Sequence, residues 1–105
     1  MKIPKYALPH RVTIIPLKGS GPYGPIFDGT KAKRNVPALI EPRTSVIRGS
    51  NGEDITVRAD FMIHPDYKVR AGDRIQWPET GADYTVQDLT PVHAMGLSHY
   101  EGVLI

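Results

Sequence analysis

Proline decides most of what this chain can fold into. Ten prolines run from Pro4 to Pro91 in 105 residues. Inside a helix each would remove a backbone hydrogen bond and clash with the preceding turn, at a cost of about 3 kcal/mol. The longest proline-free run, 43–64, has room for a helix of several turns, yet its second half alternates with period two. Ile55, Val57, Ala59, Phe61 and Ile63 fall on one face, and Thr56, Arg58, Asp60, Met62 and His64 on the other. That is the signature of a strand with one buried and one wet side. Shorter period-two stretches recur at Val12–Ile15, Val36–Glu41, Ile75–Trp77, around Tyr84 and Val86, and in the closing "HYEGVLI". Pro37, which cannot donate to a ladder, implies that its strand is an edge or that its amide position faces outward.

Turn signals separate these strands. "HPDYKVRAGD" reverses the chain with room for one short helical turn, and "PETGAD" reverses it again. Asn51-Gly52 bends the chain between "RTSVIR" and "DITVRADFMI", glycine allowing positive φ. The stretch "LKGSGPYGPIFDGTKAKRN" reads as one long glycine- and proline-rich loop, the kind that is usually functional or mobile. The fold expected is all-β: one domain over 1–105, a small antiparallel β-barrel of about six strands with that loop and a projecting hairpin. At this length one modest core is all that can form.

Charge is divided unevenly along the chain. The net charge is +2, but residues 1–48 carry nine Lys/Arg against two acids, and residues 49–105 carry four against nine. Either the fold interleaves the two halves, or the basic side of one subunit meets the acidic side of a neighbour. There is no cysteine, so no disulfide or thiolate metal site can form. No apolar run is long enough to span a membrane, and "MKIPKYALPHR" lacks the apolar block of a signal peptide, so a soluble protein made in the cytoplasm is expected.

No catalytic constellation emerges. Ser20, Ser45, Ser50 and Ser98 lie outside any nucleophile-elbow setting. Glu53/Asp54 and Asp83/Asp88 sit at turns and strand ends, where solvated carboxylates belong. "GSGPYGP" lacks the Gly-Lys-Ser/Thr ending of a phosphate loop. His10, His64, His93 and His99 show none of the paired spacing of a zinc site and read as exposed strand and loop residues. Neither a cofactor nor an enzymatic activity is expected. Basic residues near the aromatics Tyr23 and Phe27 leave a stand-alone single-strand nucleic-acid module as an alternative, though the small net charge weighs against it.

The order of motifs adds to this reading. "HRVTI", "GPYGPIF", "VPALIEP", "NGED" between two strands, "VRAGDRI", "YTV" and "GLSHYEGVLI" follow one another from Arg11 to Ile105. The ordered set resembles the head-completion, or head-to-tail stopper, proteins of long-tailed bacteriophages. "DGTKAKRN" departs from that pattern in being longer and more basic.

The resemblance implies a structural virion protein, made in the bacterial host cytoplasm and sited at the head–tail junction. It implies a homo-oligomeric ring, a dodecamer in such proteins, between the portal and adaptor and the tail-terminator protein. The ring seals the DNA-filled head and touches packaged duplex without regard to sequence. A related tail-completion or tail-terminator subunit is a further alternative. Within this reading Arg43, Arg48, Gly49, Ser50, Asn51, Gly52 and Arg58 form a channel-facing hairpin. Tyr23, Phe27, Lys31, Lys33 and Arg34 form a subunit or adaptor interface loop. Asp66, Asp73, Glu79 and Asp83 form an acidic partner face.

Overall fold

Strand patterns and turn residues translate into eight strands. In the computed structural model, which describes residues 2–105, β1 is His10–Ile15, β2 Leu17–Gly21, β3 Gly24–Phe27 and β4 Lys33–Arg48. β5 is Asp54–Ile63, β6 Arg74–Trp77, β7 Ala82–His93 and β8 Leu97–Leu104. Two short 3₁₀ turns, Lys5–Ala7 and Gly29–Lys31, are the helical elements among the described residues. Six strands close an antiparallel barrel in the order β1-β4-β5-β8-β7-β6, with β6 returning to β1. The all-β barrel expected from alternation is the fold observed.

Alternating inward positions fill the barrel. Val12 and Ile14, Val36, Ala38 and Ile40, Ala59, Phe61 and Ile63, Ile75 and Trp77, Tyr84 and Val86, and Leu104 form one buried cluster, with Val69 from the β5–β6 connection. Burying an aliphatic or aromatic side chain of this kind is worth roughly 1.5–3 kcal/mol. Every barrel strand contributes, so the core cannot assemble unless the ring of strands closes.

Two sequence expectations are corrected, and the alternatives left for Pro37 are resolved in favour of an amide position that faces outward. The stretch expected as a long loop folds into the β2–β3 hairpin, a two-stranded sheet of its own, followed by the Gly29–Lys31 turn capped by Asp28. It escapes pattern reading because its residues are exposed or only half-buried, so no alternation marks it. Pro37 is not on an edge strand, since β4 lies between β1 and β5. β5 ends at Ile63 there, and the Pro37 carbonyl accepts the His64 N–H at 3.2 Å, so the missing donor faces past the end of β5. The β5–β6 connection forms hydrogen-bonded turns and no helix.

β4 changes character at Pro42. Pro42 is opposite Ala59 but Ser45 is opposite Val57, so one extra residue sits on β4 at Arg43–Thr44. This β-bulge moves the inward face from even to odd positions, from Ala38 and Ile40 to the half-buried Ser45 and Ile47. A second bulge lies on β7 between Val86 and Asp88. There a Cβ at Gly102 would stand 2.0 Å from the Asp88 carbonyl oxygen, so only glycine lets β8 approach.

The registers also define two ends. One carries the start of β1, the end of β6, the start of β7, the end of β8 and the β4–β5 turn. The other carries the β2–β3 hairpin, the β5–β6 connection and the β7–β8 turn.

His64, expected exposed, is 4% exposed, and its Nδ1 accepts the Asp66 N–H at 3.2 Å. Desolvation holds its pKa below the ordinary value of 6.5, outweighing the opposite pull of Asp66. A base whose folded pKa is depressed favours unfolding once the unfolded chain takes up a proton that the native state refuses. Acidification from pH 7 to pH 5 is therefore expected to lower the thermal midpoint, and His64→Gln should flatten that slope. Asp66 and Asp83, both held below 3.8 by hydrogen bonds from Lys2 and Arg74, lose their stabilisation only at lower pH. Thermal melts at both pH values check this.

Candidate functional site

The part of the molecule that leaves the barrel at one end is the β4–β5 ribbon. β1 pairs with β4 between Lys33 and Ala38, and β8 pairs with β5 between Ala59 and Ile63. Beyond the bulge, Ser45–Arg48 pairs with Asp54–Val57 alone, and the outer edge of each strand has no neighbouring strand. At about 3.3 Å per residue this arm reaches roughly 13 Å past the bulge before its turn. Ile47 and Ile55 face each other on one side of it, half-buried, while Val46 on the other side is exposed.

The tip is built by Gly49, Ser50, Asn51 and Gly52. The Gly52 N–H donates to the Gly49 carbonyl at 3.0 Å and the Gly49 N–H to the Glu53 carbonyl at 2.7 Å. Gly52 alone takes the left-handed conformation, at φ +83°, and Asn51 does not share it. The bend is thus a turn ending in a left-handed glycine rather than a two-residue mirror-image turn.

The three arginines of the expected hairpin are not equivalent. Arg43 is held by Asp60, with Nε–Oδ2 at 2.6 Å and NH2–Oδ1 at 3.0 Å. That bond raises the pKa of the guanidinium. Arg58 donates to the Asp83 carbonyl at 2.8 Å and lies 4.7 Å from the Tyr84 ring centroid. Arg48, near the tip, has only a 3.5 Å contact to the Gly52 carbonyl. It stands directly across from Asp54, with Glu53 beside it. The two arginines at the base are thus engaged within the chain, and the tip mixes both signs.

At the other end the expected interface loop divides as well. Tyr23 is fully exposed at the tip of the β2–β3 hairpin. Phe27 instead lies against the molecule, its ring 5.8 Å from the Arg74 guanidinium. Lys31 and Lys33 line a pocket of about 400 Å³ with Lys18, Lys68 and Arg70, whose roles the sequence did not suggest. Lys33 donates to the Lys68 carbonyl at 3.0 Å, and Arg34 is exposed outside the pocket. Asp28 accepts from the Thr30 N–H at 3.1 Å and hydroxyl at 2.6 Å. Those bonds, with nearby Lys31 and Lys18, keep it ionised below the usual carboxylate range.

The acidic face expected from Asp66, Asp73, Glu79 and Asp83 does not form. Asp73 is 5% exposed and accepts the Leu17 and Arg70 N–H groups, both at 2.9 Å, so it fastens the β2 strand to the β5–β6 connection. Asp66 is bound to Lys2 at 2.5 Å, and Asp83 is clasped by Arg74. Glu79 lies in the β6–β7 turn, at the opposite end of the barrel from Asp66.

The carboxylates that do gather were missed. Glu41 stands across from Asp60, Glu101 is flanked by Met62 and Thr90, and Val103 lies between Asp60 and Asp88. Glu41, Asp60 and Glu101, with Thr90 and Val103, line a pocket of about 340 Å³ on the outer wall, and Asp88 lies next to it across from Val103. No sequence spacing reveals this, because the residues come from four strands brought together by register. Among the described residues no group of three or more potential ligands is arranged to hold a metal ion, and no helix is long and apolar enough to cross a membrane.

No protein-family model and no curated protein matches the chain. Among solved structures, the phage-like element PBSX protein xkdH from Bacillus subtilis superposes at a TM-score of 0.46, with 19% sequence identity over 91% of each chain. A likeness that distant is grounds for neither fold nor role.

The arm stands on its own turn. Gly52→Val places a β-branched side chain at φ +83°, a conformation costing about 1–2 kcal/mol. Amide exchange at Ile47 and Ile55, whose N–H groups lie in the ladder next to the Gly49–Glu53 bond, should then quicken by about tenfold while Phe61 and Val86 keep their protection. Exchange mass spectrometry or NMR reads both.

Proposed function

We propose that this chain is a structural, non-catalytic subunit of a bacteriophage neck, copied round an axis between the portal-adaptor assembly and the tail. The observation that carries this reading is the β4–β5 ribbon, which runs beyond a closed barrel with both outer edges bare. A lone soluble protein gains nothing from such edges and risks aggregation through them. In a ring, neighbouring copies cover them, and the tips converge on the axis and narrow the lumen. The ordered motifs from Arg11 to Ile105 support the same assignment.

In this reading the ribbon retains DNA chiefly as an obstacle. Arg43 and Arg58 are committed to Asp60 and to the Asp83 carbonyl, which leaves Arg48 to meet a passing phosphate. Such a contact is indifferent to sequence and weakens as salt rises. Arg48→Glu should leave the melting midpoint almost unchanged, since the residue is exposed, while lowering DNA retention in assembled particles. Shortening the ribbon to a two-residue turn after Pro42 should lower retention further. Particles that keep their DNA with the shortened ribbon would reject its role in the lumen.

The lysine-lined pocket favours a second reading, a solitary nucleic-acid-binding module. That reading predicts oligonucleotide binding by the isolated chain at low salt, collapsing steeply as salt rises. No binding at low salt leaves the neck subunit as the account of this fold.

A further inference from the structure

Two features remain that the neck reading does not use, and they lie on opposite sides of the barrel. One is the β2–β3 hairpin. Its strands pair only with each other, its tip carries the fully exposed Tyr23, and Leu17 and Ile26 are exposed beside it. A lone two-stranded hairpin is marginally stable in water at best. This one is fastened only at its base, by Asp73 to Leu17 and by the Asp28 N–H to the Pro16 carbonyl. Around that base Lys18, Lys31, Lys33, Lys68 and Arg70 crowd one pocket, while its two acids are occupied. The other feature is the wall formed by β4, β5, β8 and β7. Its floor is Met62 and Val103, and its rim is Glu41, Asp60, Glu101 and the adjacent Asp88. Arg43 neutralises one of these four carboxylates, Asp60, and the His99 Nε2 lies 3.4 Å from a second, Glu101. Glu41 and Asp60 face each other across the ladder, where like charges destabilise a sheet.

Barrel order fixes their relation. The hairpin springs from the β1–β6 seam, directly after Ile15. The wall is centred on the β5–β8 seam, three seams away in either direction. The base of the hairpin and the wall of the same chain therefore stand on opposite sides of the barrel.

We propose that adjacent copies join hairpin to wall, Tyr23 of one chain seating over Met62 and Val103 of the next. Lys18 and Lys31 then meet Glu41 and Glu101. This rests on the ring reading and names the two surfaces that build the ring. A protruding aromatic fills a dent with an apolar floor, and cations that repel one another meet carboxylates that do the same. The contact is heterologous, so each added copy leaves one hairpin and one wall open until the circle closes.

The absence of cysteine makes the test direct, because introduced thiols have no competitors. A Tyr23→Cys, Val103→Cys double variant, oxidised at high concentration and in assembled particles, should give a ladder of dimers, trimers and higher forms. Each single variant should stop at the dimer. In the double-cysteine background, Lys18→Glu with Lys31→Glu should cut the ladder by about tenfold, and adding Glu41→Lys with Glu101→Lys should restore it. A double-cysteine variant that stops at the dimer in both settings overturns the proposal, as does a ladder indifferent to charge reversal. A variant that enters particles without cross-linking shows that the surfaces are wrong and the ring right. A charge-dependent ladder from a protein that particles lack upholds the surfaces and removes the neck.

Discussion

Closure of the barrel through β6 is the constraint on which the rest of the structure depends. β6 is four residues long, yet it joins β1 at Thr13–Ile15 to β7 at Ala82–Thr85 and puts Ile75 and Trp77 into the core. A closed barrel has no edge. Unpaired strand backbone lies in the parts that run past the barrel: the β4–β5 ribbon at one end, and at the other the β2–β3 hairpin and the far β7–β8 arm, where Asp88–His93 pairs with β8 alone. Without closure the core would open and the distinction between scaffold and reaching arms would vanish.

Charge is arranged on the same plan. The basic first half and acidic second half interleave where local stability needs them: Lys2 holds Asp66 and Arg43 holds Asp60, each pair joining the two halves. Surface pairs of this kind contribute little individually. What matters more is the charge they leave over. Lysines remain at the base of the β2–β3 hairpin, and Glu41, Asp88 and Glu101 remain on the wall across the barrel. Folding thus draws charges from both halves into a basic hairpin base and an acidic wall, the separation on which the proposed hairpin-to-wall contact rests.

Much of the fold was legible in the residues. Ile55 to Ile63 declared its buried face, the prolines excluded long helices, and Gly52 marked a bend that does take positive φ. The illegible parts have physical causes. The β2–β3 hairpin buries almost nothing, so no hydrophobic period records it. Pro37 sits inside the sheet because β5 stops beside it, a fact of register that composition cannot convey. Asp73 reads as a surface acid until two backbone amides are found on it. The projecting hairpin was foreseen as an element, but the bulge at Arg43–Thr44 and the engagement of Arg43 and Arg58 emerge only once strands are paired.

The central claim is that this barrel acts as one of many copies round an axis, its bare ribbon directed at the lumen. Electron cryo-microscopy of the head–tail junction in particles carrying this polypeptide tests it most directly. The account predicts a ring of six-stranded barrels at the neck, each with its β4–β5 ribbon pointing to the axis. A ring with the ribbons turned outward, or purified particles that lack the polypeptide altogether, would contradict it.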